Sequence, residues 1–310
     1  MKIDFKKVKT YSLKGRPSKV HKADFAALGV KGISFKKFWE GLPDILAAKE
    51  IKRLTKDIVG AHKNKKAVIF MLGAHVIKCG LSPIIIDLMK RKVITAVALN
   101  GAGIIHDAEL ALAGKTSEDV GPALSDGSFG MARETAEFIN VAIDKGVQKG
   151  IGIGAAVGQR IIKDKLPNAK VSILAGGITY GVPVTVHVAI GTDIIHQHPS
   201  CNGASAGEGS LIDFRNLVYS VVDLNNGGVA VNVGSAIILP EVFLKALNLS
   251  RNLGRTVKDF TTANLDMILH YRPTQNVVRR PVADGGFGCN IIGHHEIMVP
   301  FLYQSILEEI

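Results

Sequence analysis

Residues 67–119 constrain the fold of this chain more than any other stretch: AVIFMLGAHVIKCGLSPIIIDLMKRKVITAVALNGAGIIHDAELALAGKTSED. Ala67 to Leu72 is a short apolar run rich in branched side chains, as a strand buried on both faces requires. Gly73 ends it, and Leu81 to Lys92 then has helical spacing, with Pro83 admissible in a first turn. Ile94 to Leu99 reads as a second buried strand. It too runs into small residues, Asn100-Gly101-Ala102-Gly103, ahead of His106, Asp107 and Glu109. Strand, helix, strand is a βαβ unit, and polar residues collect just past the carboxyl ends of both strands. Open α/β sheets bind ligands in that place.

The rest of the chain continues the alternation. Ser34 to Ala61 has helical apolar spacing broken near Pro43, and Gly130 to Lys145 and Glu296 to Glu308 read as helices. Val171 to Leu174, Val184 to Ile190 and Val229 to Val233 read as strands. Strands alternating with helices imply a doubly wound, mostly parallel, Rossmann-like α/β sheet. At 310 residues and 47% hydrophobic, the chain can bury a large core. We expect residues 1–60 to form a basic arm and helical lead-in, and residues 61–310 a single α/β domain.

Composition narrows the function. No run of about 18 apolar residues is free of charge, which argues against a membrane helix. The N-terminus has no apolar signal core, and Cys79, Cys201 and Cys289 match neither a disulfide framework nor a CxxC site. These features lead us to expect a cytoplasmic protein. Of the formal charge of +11, seven charges come from Lys2, Lys6, Lys7, Lys9, Lys14, Arg16, Lys19 and Lys22 set against Asp4. Without interleaved aromatic residues this arm does not read as a nucleic-acid surface. It reads as a solvated arm, or one that docks on a neighbouring subunit.

Several motifs could carry chemistry. Gly152-Ile153-Gly154-Ala155-Ala156-Val157-Gly158 is GxGxxxG, not the dinucleotide fingerprint, and its small residues suit a helix lying close to a sheet. His187, Asp193, His196 and His198, with His294, His295 and Glu296, offer imidazole and carboxylate, but their spacing matches no closed zinc pattern, so no metal is expected. Asp126-Gly127-Ser128 and Gly207-Glu208-Gly209-Ser210 read as helix starts. His106, His294 and His295, with Asp107, are the candidate acid–base groups, since histidine exchanges protons near neutral pH.

In the order of these segments the chain resembles the deoxyhypusine synthase family, from about Ala67 to Leu302. Gly73-Ala74-His75-Val76-Ile77-Lys78-Cys79-Gly80 is similar to the family's turn around the NAD phosphates, and Asn100-Gly101-Ala102-Gly103 to its next glycine segment. Thr192-Asp193, Gly234-Ser235, Thr261-Thr262 and His294-His295 are similar to further cofactor contacts. The resemblance implies NAD as cofactor, a homotetramer, and oxidation of spermidine followed by aminobutyl transfer through a lysine. The stretch matching the family's Trp-Gly-Lys segment is Arg272-Pro273-Thr274-Gln275-Asn276-Val277-Val278-Arg279-Arg280-Pro281, without lysine. Arginine stays protonated and cannot form the imine.

Asp266 alone stands where that family's pocket carries several acidic residues. Arg272, Arg279 and Arg280 suit an anionic group better than a polyamine. The run from Asn100 to Ser117 is also similar to the NAD-binding domain of ornithine cyclodeaminases of the arginine-catabolic type. The expectation is an NAD-dependent enzyme acting on a small amine or amino-acid-like substrate with an anionic group, bound by Arg272, Arg279, Arg280 and Asp266. One alternative is a deoxyhypusine- or homospermidine-synthase-like aminoalkyl transferase using another lysine such as Lys245. The other is a non-enzymatic NAD-binding regulatory protein.

Overall fold

A computed structural model describes residues 3–310; Lys2 of the basic arm lies outside the described residues. Helices α1 (Phe35–Glu40) and α2 (Leu46–Lys63) precede β1 (Val68–Leu72), whose five residues are all buried. There follow α3 (Ala74–Lys78), α4 (Ser82–Lys90), β2 (Ala96–Asn100) and α5 (Gly101–Ala113). Then come α6 (Val120–Asp126), α7 (Arg133–Val147), α8 (Ile153–Lys163), α9 (Ile173–Tyr180) and β3 (Val184–His187). The last third runs α10 (Gly203–Val222), β4 (Val229–Val233), α11 (Ile238–Asn252), β5 (Phe260–Asp266) and a single turn α12 (Tyr271–Pro273). A π-helical turn (Thr274–Arg279), β6 (Gly286–Ile292) and α13 (His295–Leu307) complete it.

The six strands form one all-parallel sheet in the order β3-β2-β1-β4-β5-β6. That is the doubly wound Rossmann-type order, with the direction of winding reversing between β1 and β4. Side-chain alternation feeds two cores. Val68, Phe70, Leu72, Val97, Leu99, Val231 and Leu265 face one side, packed with Leu54 and Ile58 of α2 and with residues of α4, α5, α7, α8 and α13. Ile69, Met71, Ala98 and Ala230 face the other, against Leu217 and Val221 of α10 and Phe243 and Leu247 of α11. Burial on both sheet faces explains why β1, β2 and β4 read as unbroken apolar runs.

Gly154 and Gly158 do what the GxGxxxG spacing suggests. A Cβ at Gly154 would lie 1.9 Å from the Val184 carbonyl, and one at Gly158 2.6 Å from the Leu174 carbonyl. Only glycine lets α8 lie this close to β3 and α9.

Three local expectations are corrected. Val171 to Leu174 is not a strand: Ser172 N-caps α9 there, accepting the Ala175 amide. Asp126 ends α6, with Gly127 in the left-handed conformation after it, and Gly207 to Ser210 lies inside α10, which Asn202 caps instead. The arginine-bearing stretch is helical over Thr274–Arg279.

Candidate functional site

At the winding reversal the loops after β1 and β4 touch. The Gly73 amide donates to the Val233 carbonyl, and a Cβ on Gly73 would fall 2.0 Å from the Gly234 carbonyl oxygen. Gly234 has φ +66°, a conformation that favours glycine. Its close neighbour is a side chain: a Cβ there would meet Cε1 and Nε2 of His295 at 2.9 Å.

His295 opens α13 and is 1% exposed; neither ring nitrogen makes a hydrogen bond of good geometry, the Leu265 backbone being the polar group that comes nearest to one. Asp266, at the carboxyl end of β5, brings Oδ1 to 4.0 Å from His295 Nε2 while accepting the Met267 amide. Burial lowers the His295 pKa, and the Asp266 charge opposes that shift. On its other side the His295 ring meets His75 edge-on, centroids 5.6 Å apart.

His75 lies on α3, where the Cys79 amide donates to the His75 carbonyl, placing both side chains on one helix face. The Cys79 thiol donates to Glu296 Oε2 at 3.7 Å, and His294 Nδ1 lies 3.8 Å from Glu296 Oε1. The carboxyl ends of β1, β4, β5 and β6 thus bring together Gly73, His75, Cys79, Gly234, Asp266, His294, His295 and Glu296. Ala74 and Val76 flank His75 on α3. Read from the sequence, Glu296 stands only beside His294 and His295, and Cys79 only within the Gly73–Gly80 turn, and nothing pairs the two. The i, i+4 spacing of His75 and Cys79 was the available signal, but only the fold brings Glu296 to it.

A second group forms at the ends of β2 and β3. Asn100 caps α5, its Oδ1 accepting the Gly103 amide at 3.0 Å. Asp193 lies over Gly101: a Cβ on that glycine would come within 1.8 Å of its Oδ2. This carboxyl is 8% exposed, Oδ2 has no partner, and burial pushes its pKa up to about 6. A pyrophosphate on the amides of Asn100 to Gly103 would have to share that helix end with an acidic group, so the Gly101-Ala102-Gly103 turn is a poor phosphate cradle. Thr192 is exposed, its hydroxyl donating to the Ala189 carbonyl.

Other expected residues lie apart. Asp107 is fully buried and accepts from the Ser172 hydroxyl and the Ile173 and Leu174 amides. It holds the start of α9 and leaves the acid–base set. His106 pairs with the Thr116 hydroxyl, which donates in turn to Glu109. Ser235 accepts the Leu239 amide and starts α11. Thr261 and Thr262 sit at the amino end of β5, and the Thr261 hydroxyl donates to Asp57 of α2. Four residue steps along β5, about 13 Å, take the chain from Thr262 to Asp266, so these threonines are on the wrong edge for a cofactor held at Gly73 and Gly234.

The arginines form a network with α11. Arg272 pairs with Glu241 at 3.2 Å, and Arg280 donates to Asn276, whose amide donates to the same Glu241. Lys245, the substitute lysine of the transferase alternative, also pairs with Glu241. Arg279 is exposed. His196 Nδ1 accepts the Gly191 amide, and His198 pairs with Ser200; neither joins His294 and His295 in a cluster of possible ligands among the described residues.

The sequence matches no protein-family model and no curated protein. Solved structures share the fold. A conserved LOR/SDH protein of Methanococcus maripaludis has a TM-score of 0.54 at 15% identity, over 86% of this chain and 71% of that one. AgrE, solved as a ternary complex with ornithine and NAD+, has a TM-score of 0.56 at 11% identity, over 84% of this chain. A protein assigned as a deoxyhypusine synthase from Entamoeba histolytica has a TM-score of 0.54 at 10% identity, over 90% of this chain and 94% of that one. The chain spans about a third of AgrE, 33% of its length. These likenesses show a shared α/β fold, Rossmann-like in its sheet order. No helix among the described residues is long and apolar enough to cross a membrane.

Proposed function

We propose that the carboxyl edge of this sheet binds NAD and that the protein is an NAD-dependent enzyme acting on an amine or amino-acid-like substrate. The observation that carries the reading is the buried, unpaired His295 ring set against Gly234 and Asp266, at the point where the winding reverses. Doubly wound sheets take dinucleotides across that crevice.

The chain's own residues fit such a ligand at two places. Asp193, with an unpaired carboxylate oxygen beside the ends of β2 and β3, is suited to accept from ribose hydroxyls. Gly73, Ala74 and His75, at the start of α3, would face the phosphates, and Gly234 would leave room for the cofactor near His295. NAD supplies hydride acceptance. His295, with Asp266 near its Nε2, would hold or take the amine proton, and His294 and His75 border the same space. Of the three arginines, Arg272, paired with Glu241 in the first turn of α11, lies nearest this edge and would meet an anionic group, whereas Arg279 follows Val278, whose carbonyl packs against Gly288 in the Thr262 row. In AgrE, ornithine and NAD+ are the bound molecules, which favours amino-acid chemistry over polyamine transfer. So does the pairing of Lys245 with Glu241.

Calorimetric titration of the full chain with NAD tests the reading, followed by NADH absorbance and ammonia release with ornithine and other amino acids. Saturable NAD binding, lost in His295→Ala, is expected. No NAD binding by the parent chain overturns the proposal.

A further inference from the structure

Among the described residues, one group of three potential metal ligands converges: His75, Cys79 and Glu296, whose ligand atoms all lie within 4.8 Å of one another. Two come from one face of α3 and the third from the first turn of α13, so the group forms only when the ends of β1 and β6 are in place. Around a tetrahedral ion with bonds of about 2.0–2.3 Å, ligand atoms stand roughly 3.3–3.8 Å apart. Cys79 Sγ and Glu296 Oε2 are already 3.7 Å apart. His75 and Glu296 are exposed, so packing does not lock either side chain against the small movement that closes the remaining spacings. Next to the group, the buried His295 ring meets His75 edge-on with both nitrogens unpaired. An unpartnered buried imidazole in contact with a ligand set is a second observation pointing to a bound group, because such nitrogens are otherwise satisfied.

We propose that His75, Cys79 and Glu296 bind a divalent transition-metal ion of the zinc type. Thiolate, imidazole and carboxylate together suit zinc and cobalt better than magnesium or calcium, which prefer oxygen alone. Three protein ligands leave a position open to water or to a substrate nitrogen or oxygen, the arrangement of catalytic zinc sites. His294, 3.8 Å from Glu296, is placed to orient that carboxylate. Coordination replaces the Cys79–Glu296 hydrogen bond, and the thiol proton passes to solvent. The site shares His75 and the neighbouring His295 with the cofactor reading, and its test uses the metal alone, so its failure is distinguishable from a failure to bind NAD.

The test is titration of the metal-free full chain with Co2+ and no cofactor, followed by absorbance, and then displacement by Zn2+. A near-ultraviolet thiolate-to-cobalt band saturating at one ion per chain is expected, with proton release. His75→Ala, Cys79→Ser and Glu296→Gln should each weaken binding at least tenfold, and Cys79→Ser should abolish the band. Circular dichroism of each variant checks that the fold is kept. The proposal is overturned if Co2+ does not bind, if it binds without a thiolate band, or if well-folded variants bind as tightly as the parent.

Discussion

His295 stands over Gly234, its Cε1 and Nε2 2.9 Å from where a Cβ on that glycine would be. The loop after β4 is therefore shaped to the histidine that opens α13, across β5. Gly234→Ala would add a left-handed backbone penalty of about 1 kcal/mol and push the ring off its seat. Chemical denaturation should show a loss of about 1–3 kcal/mol, and calorimetry a weakened affinity for NAD. Unchanged NAD affinity would detach His295 from the cofactor reading.

Asp107 and His106 are neighbours in sequence with separate roles. Asp107→Ala strips three donors of a buried acceptor, Ser172, Ile173 and Leu174, and should cost on the order of 3–5 kcal/mol. His106→Asn, half-buried and at the edge of the Thr116–Glu109 chain, should cost under about 1 kcal/mol. Melting curves of the two variants settle this; equal losses would contradict the assignment of Asp107 to the start of α9.

Asp213 of α10 gives a pH dependence whose sign is fixed. Its Oδ2 accepts the Gly154 and Val186 amides, yet burial raises its pKa from 3.8 to about 7. The folded chain thus holds this proton more tightly than the unfolded one. The contribution is most favourable below about pH 4, falls as pH rises to about 7, and is constant above that. Asp193 and Asp107, each pushed up to about 6, act in the same direction. Asp213→Asn keeps an oxygen for the two amides and fixes the neutral form. Its Tm should drop less between pH 5 and pH 8 than the parent's, and an equal drop would show that Asp213 is not the linked group.

An asparagine ladder crosses the sheet. Asn232 donates to Asn264 Oδ1 at 2.8 Å and to the Ser235 carbonyl at 2.9 Å, and Asn264 donates to Asn290 at 3.2 Å. The three occupy one register row of β4, β5 and β6. Asn264→Leu breaks both links between strands and leaves Asn232 and Asn290 short of partners. A loss of about 2–4 kcal/mol is expected in urea unfolding, since Asn232 also braces the turn at Ser235. A loss below 1 kcal/mol would mean the row is dispensable.

This ladder also marks where the sequence stops being legible. β1, β2 and β4 announce themselves because both faces meet apolar layers. β5 carries Thr261, Thr262, Asn264 and Asp266, and β6 carries Gly286, Gly288 and Asn290, so polar pairing across strands replaces apolar burial and hides them. The carboxyl-edge site was half legible. Gly73, His75, Gly234, Asp266 and His295 stand at strand ends that the pattern locates, or that family resemblance supplies. Cys79 and Glu296 are 217 residues apart, and nothing local predicts that contact. The edge of the sheet on which Thr261 and Thr262 stand was illegible for a related reason: it depends on β5 beginning at Phe260, which no local pattern marks.

Gly101 and Asp193 provide the last prediction, because each makes sense only with the other. A methyl group on Gly101 would overlap Asp193 Oδ2 at 1.8 Å, so Gly101→Ala forces the buried carboxyl off the end of β2 or shifts the start of α5. The single substitution should cost about 1–3 kcal/mol from overpacking. Asp193→Ala removes an acid with an unpaired oxygen whose pKa is already pushed up to about 6, and should be near neutral or mildly stabilising at pH 8. Combining them should return most of the loss, giving a coupling of at least about 1 kcal/mol in a double-mutant cycle. The same cycle bears on binding. If Asp193 accepts from ribose hydroxyls, NAD affinity falls in Asp193→Ala and stays low in the double variant although the fold has recovered. If stability and affinity recover together, Asp193 serves α5 alone and the ribose contact must lie elsewhere on this edge.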